Sequence, residues 1–164
     1  MEIRVGRANR KAAALVEMAI VLTILLTLTF GIIEFGMMIK AYLTVSNVAR
    51  EGVRSSSLGS PTGVVDSRII STTTALGLNS MYMTSVYQEY RTYTRATGVW
   101  SSWMTLGNTV DGTQNNAPNN DIYESQLRVR LVYTYHLVTG TMFTSIFGPS
   151  GTVALRTSMV MKRE

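Results

Sequence analysis

The chain has 164 residues, of which 46% are hydrophobic and 15% charged, and this balance excludes an intrinsically disordered protein. It contains no cysteine and a single histidine, His136, which excludes disulfide frameworks and thiolate metal sites and argues against an enzyme. The formal charge of +5 includes four basic residues and one acidic residue within the first 11 positions. The other basic residues are scattered along the sequence among acidic ones, so we expect no nucleic-acid partner and no cofactor.

An apolar segment near the N-terminus, residues 12–33 (AAALVEMAIVLTILLTLTFGII), is long enough to cross a bilayer as one helix. At ~1.5 Å per residue, about 20 residues span the hydrocarbon core. The segment is longer than the apolar part of a secretory signal peptide, which favours a retained anchor. Four basic residues precede it and the next basic residue after it is Lys40, so the positive-inside rule places the N-terminus in the cytoplasm.

One carboxylate interrupts this segment. Glu17 lies at its sixth position, where a charge costs about 2.5–3.5 kcal/mol at mid-bilayer and less near the interface. In one interpretation, Glu17 reaches the headgroups or lies near Arg10 on the same helical face. In the other, a peptidase cuts between Ala12 and Ala13, and the new α-amino group, four residues before Glu17, neutralises the carboxylate.

These residues resemble a known family. A basic leader followed by a small residue and AALVEMAIVL, with Glu17 at the fifth position after Ala12, is similar to the site that a membrane prepilin peptidase cuts in type IV pilin-like proteins. The longer stretch 13–54, with FGIIEFG at 30–36 and NVAREG at 47–52, resembles the TadE-like pseudopilins of the Tad (tight adherence, Flp-type) pilus system. The chain departs from the pattern at Ala12, where this family usually has glycine.

The resemblance implies a non-enzymatic minor pseudopilin of the bacterial inner membrane, with a single pass, that assembles or primes a Tad-type pilus and so serves adhesion and biofilm formation. The implied partners are other pilins and pseudopilins, the prepilin peptidase, inner-membrane platform proteins and the lipid bilayer. The implied sites are processing at Ala12 and Ala13, charge pairing between Glu17 and Ala13, and a membrane-exit signature at Glu34 and Gly36. The alternative is an unprocessed, membrane-anchored accessory or binding protein of the same system, and a hydrolase built on the single histidine ranks third.

The predicted fold is α+β, with a long N-terminal helix packed on an antiparallel, roughly four-stranded sheet, as in pilins, and a short second helix. The Ser-, Gly- and Pro-rich segment 55–63 ends the long helix near Ser55, and residues 64–78 are consistent with the second helix. Alternation and a turn at 95–97 predict four strands, at 81–94, 98–106, 127–138 and 152–162. The chain then divides into a cytoplasmic leader (1–12), a transmembrane helix (13–34), a periplasmic continuation of the helix (35–56) and a periplasmic α+β domain (57–164).

Other side chains suggest binding more weakly. Residues 108–121 (NTVDGTQNNAPNND) form a loop by composition; Asp111, Asp121 and Glu124 suit calcium, but without a calcium-loop register a solvated loop is preferred. At Glu34 and Lys40 an interface anchor is preferred over a coupling role. Six aromatic residues suggest a sugar or subunit contact, but packing on the sheet is preferred: Trp100, Trp103, Tyr82, Tyr87, Tyr90 and Tyr93.

Overall fold

The computed structural model describes residues 6–108, 113–114, 125–140 and 150–162. It divides into two units, one up to Met37 and one from Met38 onward. The predicted α+β class is confirmed: a long N-terminal helix and a short second helix accompany an antiparallel sheet. In chain order the elements are α1 (Gly6–Ser57), α2 (Thr62–Ala75), a 3-10 turn (Ser80–Tyr82), β1 (Met83–Thr94), β2 (Val99–Trp100), β3 (Met104–Asn108), β4 (Thr113–Gln114), β5 (Ser125–His136) and β6 (Thr152–Lys162).

Helix α1 begins earlier than predicted and ends close to the predicted place. It starts at Gly6 rather than near Ala13, because the Arg, Lys and Ala residues that precede Ala13 favour the helical conformation. It ends at Ser57, two residues beyond the predicted Ser55. Gly59 follows with φ of 80°, a left-handed conformation that glycine adopts without strain. The Ser60 and Gly59 amides donate to the Ser55 and Ser56 carbonyls (3.3 and 3.0 Å), which satisfies the last turn.

In the second unit, the sheet packs against the part of α1 that follows Met38. Small and β-branched side chains at three- and four-residue spacing make the buried face of this part of the helix: Ala41, Val45, Val48, Ala49 and Val53. Gly52 lies on the same face, and a Cβ built there would come within 2.9 Å of Ile69 of α2 and 3.5 Å of Val129 of β5. The missing side chain therefore lets α2 and β5 approach α1 closely.

The described strands form an antiparallel sheet in the order β4-β3-β1-β5-β6, with β2 paired to the end of β1. Strand β5 lies between β1 and β6 and pairs with both. The alternation predicted for it is confirmed, because Val129, Leu131 and Tyr133 are buried while the residues between them face outward. One face of the sheet therefore closes the core, and the opposite face carries the polar residues.

The strand expected at 81–94 begins at Met83, after the 3-10 turn, and the strand expected at 127–138 lies at Ser125–His136. Three larger differences from the predicted boundaries follow. The expected strand 98–106 is broken into β2 and β3, because the Ser101 hydroxyl accepts the Thr92 amide (3.0 Å) where a regular ladder would use a main-chain carbonyl. The segment 108–121, expected to be a loop, contributes the two-residue strand β4, which pairs with the end of β3. Helix α2 lies over Thr62–Ala75 rather than 64–78, and Gly77, with φ of 79°, follows its end.

A buried polar link joins β1 to α2. The Gln88 side-chain amide donates to Asp66 Oδ1 (2.6 Å) and to the Thr62 carbonyl (2.9 Å), and Gln88 and Asp66 are 1% and 3% exposed. Buried polar groups require such partners. The link therefore fixes α2 over β1.

Candidate assembly helix and sheet-face cluster

The N-terminal part of α1 is an exposed apolar surface. Its large apolar side chains between Leu15 and Ile33 are 38% to 68% exposed. Among the described helices, α1 alone is long and apolar enough to cross a membrane, by length and composition. An exposed apolar surface of this size is typical of a segment that contacts lipid or other helices.

Within this surface the threonines are satisfied by the helix itself. The hydroxyls of Thr23, Thr27 and Thr29 donate to the carbonyls four residues earlier, each at 2.8 Å. Such bonds hide a hydroxyl inside an apolar environment. Glu17 differs from them, because it is the one charged residue between positions 12 and 33 and its side chain is exposed.

The predicted processing and charge-pairing residues lie on one continuous stretch of helix. Ala12, Ala13 and Glu17 are all exposed, and α1 passes through the Ala12–Ala13 peptide bond without interruption. Ala13 and Glu17 are four residues apart, so they lie on the same helical face, about 6 Å apart along the axis. The fold thus places the two residues of the predicted ion pair next to each other.

The two residues of the predicted membrane-exit signature have different surroundings. Glu34 is 2% exposed and engaged in a polar interaction, whereas Gly36 is exposed and a Cβ built there meets nothing within 4 Å. Residues two positions apart do not share a helical face. The structure therefore does not bring Glu34 and Gly36 together at one site, and Lys40 beyond them is exposed.

Comparison with known families addresses this helix and leaves the sheet unmatched. A family model described as TadE-like protein matches residues 12–54, a range that lies wholly within α1. Over residues 12–54 the chain is therefore similar to TadE-like proteins, and we call this stretch the TadE-like segment. No curated protein and no solved structure matches the chain. The match over this segment suggests involvement in a Tad pilus system.

Outside the TadE-like segment, arginines and tryptophans stack on the outward face of the sheet. The Arg91 guanidinium carbon lies 4.8 Å from the centre of the Trp100 ring and 4.7 Å from that of Trp103. Arg128 lies 4.1 Å from the same Trp103 ring, and Tyr93 packs against Trp100 at 5.2 Å. Cation–π attraction of this kind holds a guanidinium in a fixed plane.

Hydrogen bonds to neighbouring side chains also hold Arg91 and Arg128, and they add a third arginine, Arg130. Arg91 donates from Nε and Nη2 to Gln126 Oε1 (2.9 and 2.6 Å). Glu89, 8% exposed, accepts from Arg128 Nε at 2.6 Å and from Arg130 Nη2 at 3.4 Å. One carboxylate therefore stands between two arginines, which leaves this part of the face with excess positive charge.

Of the other sequence-predicted residues, Tyr87 joins this cluster, with the Arg130 guanidinium carbon 4.6 Å from the centre of its ring. The remaining ones do not. Tyr82 lies against His136, with ring centroids 4.0 Å apart, so the six aromatic residues do not form one platform. Tyr90 pairs with the buried Leu127, on the face of the sheet that closes the core. The acidic residues considered for calcium, at positions 111, 121 and 124, lie outside the described residues, and the part of the chain that is described contains no group of residues suited to a metal.

Sequence reasoning did not find the arginine cluster as a unit. Alternation placed Arg128 and Arg130 on the polar face of β5, which was the available signal. What brings Arg91 and the tryptophans beside them is the register of β1 against β5, with Glu89 opposite Arg128. Register between distant strands depends on packing and turn geometry that a single sequence does not display.

Proposed function

We propose that the chain is a minor pseudopilin of a Tad-type pilus, held in the bacterial inner membrane by its TadE-like helix until it joins or primes the filament. The observation that carries the proposal is the exposed apolar surface of residues 12–33, which includes one carboxylate and lies inside the family match. Such a surface is covered equally well by lipid or by neighbouring pilin helices. Leaving the bilayer then exchanges one apolar environment for another.

The charge of Glu17 has to be neutralised if the helix is to make this exchange. Cleavage between Ala12 and Ala13 creates an α-amino group on the helical face that carries Glu17. Opposite charges ~4 Å apart attract by about 4 kcal/mol at an effective dielectric constant near 20, which offsets much of the cost of an apolar environment. Because the scissile bond lies within α1, the prepilin peptidase has to unwind the first turns of the helix to reach it.

The charge distribution gives the orientation. Four basic residues stand before the apolar segment and none stands between it and Lys40, so the leader stays in the cytoplasm and residues 35–164 lie in the periplasm. From there the sheet-bearing unit accompanies the helix into the pilus, where the subunit contributes to adhesion and biofilm formation.

The test separates membrane insertion from assembly. In a strain that makes only the variant, Glu17→Val should leave membrane levels equal to or above wild type, because it makes the helix more apolar. It should nevertheless abolish piliation and co-purification with the other pilins. The matched control is Thr23→Val, which also replaces an exposed polar side chain of the same helix; its hydroxyl is already satisfied by the Ala19 carbonyl, so insertion and piliation should both stay normal.

Normal piliation by Glu17→Val at equal membrane level would refute charge pairing and return Glu17 to an incidental position near the interface. A native chain that keeps its leader and never co-purifies with filament subunits would instead favour a membrane-anchored accessory protein of the same system.

A further inference from the structure

The outward face of the sheet is strongly basic across its three longest strands. Basic residues that are scattered in the sequence are gathered there by strand register, with five basic side chains and one carboxylate at outward positions of β1, β5 and β6: Arg91, Arg128, Arg130, Arg156, Lys162 and Glu89. Lys162 lies opposite Gln126, which in turn lies opposite Arg91. The excess charge thus extends over three neighbouring strands.

The arginines at the centre of this face are held in place before any ligand arrives. Stacking on Trp103 and hydrogen bonds to Gln126 and Glu89 fix their planes, so little side-chain entropy remains to be lost on binding. A guanidinium has five N–H donors, and the hydrogen bonds described above use two on Arg91 and one each on Arg128 and Arg130. The Arg128 and Arg130 side chains are 22% and 45% exposed, so a ligand can reach them.

We propose that this face binds an acidic polysaccharide, with carboxylates of its sugar rings paired to the arginines. A planar guanidinium matches a carboxylate in a two-point hydrogen-bonded pair. Arg128 and Arg130 are about 7 Å apart along their strand, and neighbouring strands lie ~5 Å apart, about the length of one sugar ring. A chain with a carboxylate on each ring, or on every second ring, therefore meets several cations at once.

The composition of the face argues against a protein partner. The centre of a protein–protein interface is apolar and depleted of charged residues. Here the centre is the ion pair of Glu89 with Arg128 and Arg130, and the apolar Val160 lies beside it on β6. A hydrated acidic polymer binds such a centre without having to strip the charges of water.

The same stacking argues against single-stranded nucleic acid. Single strands bind by stacking bases on open aromatic rings. The rings of Trp100 and Trp103 already carry guanidinium groups, so they are not open platforms for bases.

The test uses the full chain in detergent micelles, titrated with oligomers of polygalacturonate. Trp100 and Trp103 are the only two tryptophans of the chain, and both lie in the cluster, so tryptophan emission reports directly on this face. We expect a saturable emission change that weakens as salt is raised, and no change with neutral dextran.

Variants distinguish a built site from general positive charge. Arg156→Gln with Lys162→Gln removes two exposed cations at the rim of the face and leaves the stacked arginines in place; the Kd should rise about tenfold. The matched control is Arg50→Gln with Arg54→Gln, which removes two exposed cations from α1 and should leave the Kd unchanged.

A second variant keeps the net charge of the face and removes one aromatic ring from it. Trp103→Leu takes away the ring on which Arg91 and Arg128 stack, so binding measured by calorimetry should weaken severalfold at constant net charge. Absence of binding to polygalacturonate would overturn the proposal, as would equal weakening in the control variant. Tighter binding of duplex DNA, of a polyglutamate peptide or of vesicles with anionic lipid would also overturn it, in favour of that class of partner. None of these outcomes depends on piliation, so they leave the pseudopilin proposal to its own test.

Discussion

Two glycines of α1 differ in their surroundings, and their substitutions should differ accordingly. A Cβ built at Gly52 would lie 2.9 Å from the Ile69 side chain, whereas a Cβ built at Gly36 meets nothing within 4 Å. Gly52→Val overfills the junction of α1 and α2, so we expect the free energy of unfolding of the full chain in detergent to fall by about 1–3 kcal/mol. Gly36→Ala should leave it unchanged or raise it by up to ~1 kcal/mol, because alanine favours the helix.

Denaturant unfolding followed by circular dichroism measures both changes. Equal stability of Gly52→Val and wild type would mean that α1 and α2 can separate without cost at this point. A loss of piliation by Gly36→Ala at unchanged stability would locate a role for Gly36 in assembly, as the membrane-exit signature implies.

A buried tyrosine makes the stability of the domain sensitive to alkaline pH. Burial raises the pKa of Tyr133 above its usual value near 10, although a hydrogen bond with the backbone of Asn79 opposes the shift. The unfolded chain therefore loses the phenolic proton at lower pH than the folded chain. The stability linked to this group is fully present below pH 10 and is lost as the pH rises through the raised pKa.

Tyr133→Phe removes this titration. The variant should be less stable than wild type at neutral pH, because it lacks the hydrogen bond at Asn79, and the difference should narrow as the pH rises above 10. Unfolding free energies of the two proteins, compared at the same pH values, measure the effect and cancel the titration of the other tyrosines and of the lysines. Parallel pH profiles would contradict the assignment.

At the level of elements, the TadE-like segment of α1 allows a test of the proposed processing after Ala12. Glycine at this position both removes a methyl group from the cut site and weakens the helix that covers the bond, by about 1 kcal/mol. We therefore expect Ala12→Gly to speed removal of residues 1–12 and Ala12→Leu to block it, with intact mass as the measurement. Equal rates for all three chains would show that the peptidase does not read this position.

The elements that could be predicted are those whose hydrophobic period is long and regular. The run 12–33 and its amphipathic continuation predicted α1, and strict alternation predicted β5 and β6. The break between β2 and β3 was missed because it depends on one side-chain hydroxyl, that of Ser101, which bonds to the neighbouring strand β1 and leaves no mark on the alternation of the sequence. The short strand β4 was missed because its two residues lie in a segment with a loop composition.

The two candidate sites were predictable to different degrees, because their residues differ in how far apart they lie in the sequence. The assembly residues of α1 are close in sequence, so helix periodicity alone places Ala13 and Glu17 on one face. The basic face of the sheet joins Arg91 to Arg128 and Lys162 through two strand pairings. The basic residues are scattered along the sequence, and only strand register gathers them on one surface of the folded chain.

For the whole molecule, the charge distribution predicts one orientation in the membrane. Alkaline phosphatase fused after Glu164 should be active, because the enzyme folds only when exported, and the same fusion after Lys11 should be inactive. Placing two of the leader arginines after residue 36 instead should weaken or invert this pattern. An inactive Glu164 fusion at normal protein level would overturn the orientation and, with it, the periplasmic placement of the sheet.

The order of elements along the chain has a consequence for biogenesis. The apolar face of α1 between Ala41 and Val53 is made first, but the strands that cover it, β5 and β6, are completed only at residues 136 and 162. At ~5–20 residues per second, about 100 residues take roughly 5–20 s to synthesise. Throughout that interval the apolar stripe of α1 stays uncovered in the nascent chain. Pairing between strands far apart in the sequence is slow, and it delays the folding of the sheet further. Under the proposed periplasmic placement, we therefore expect a chaperone or a membrane surface to shield this apolar stripe until β6 has been exported.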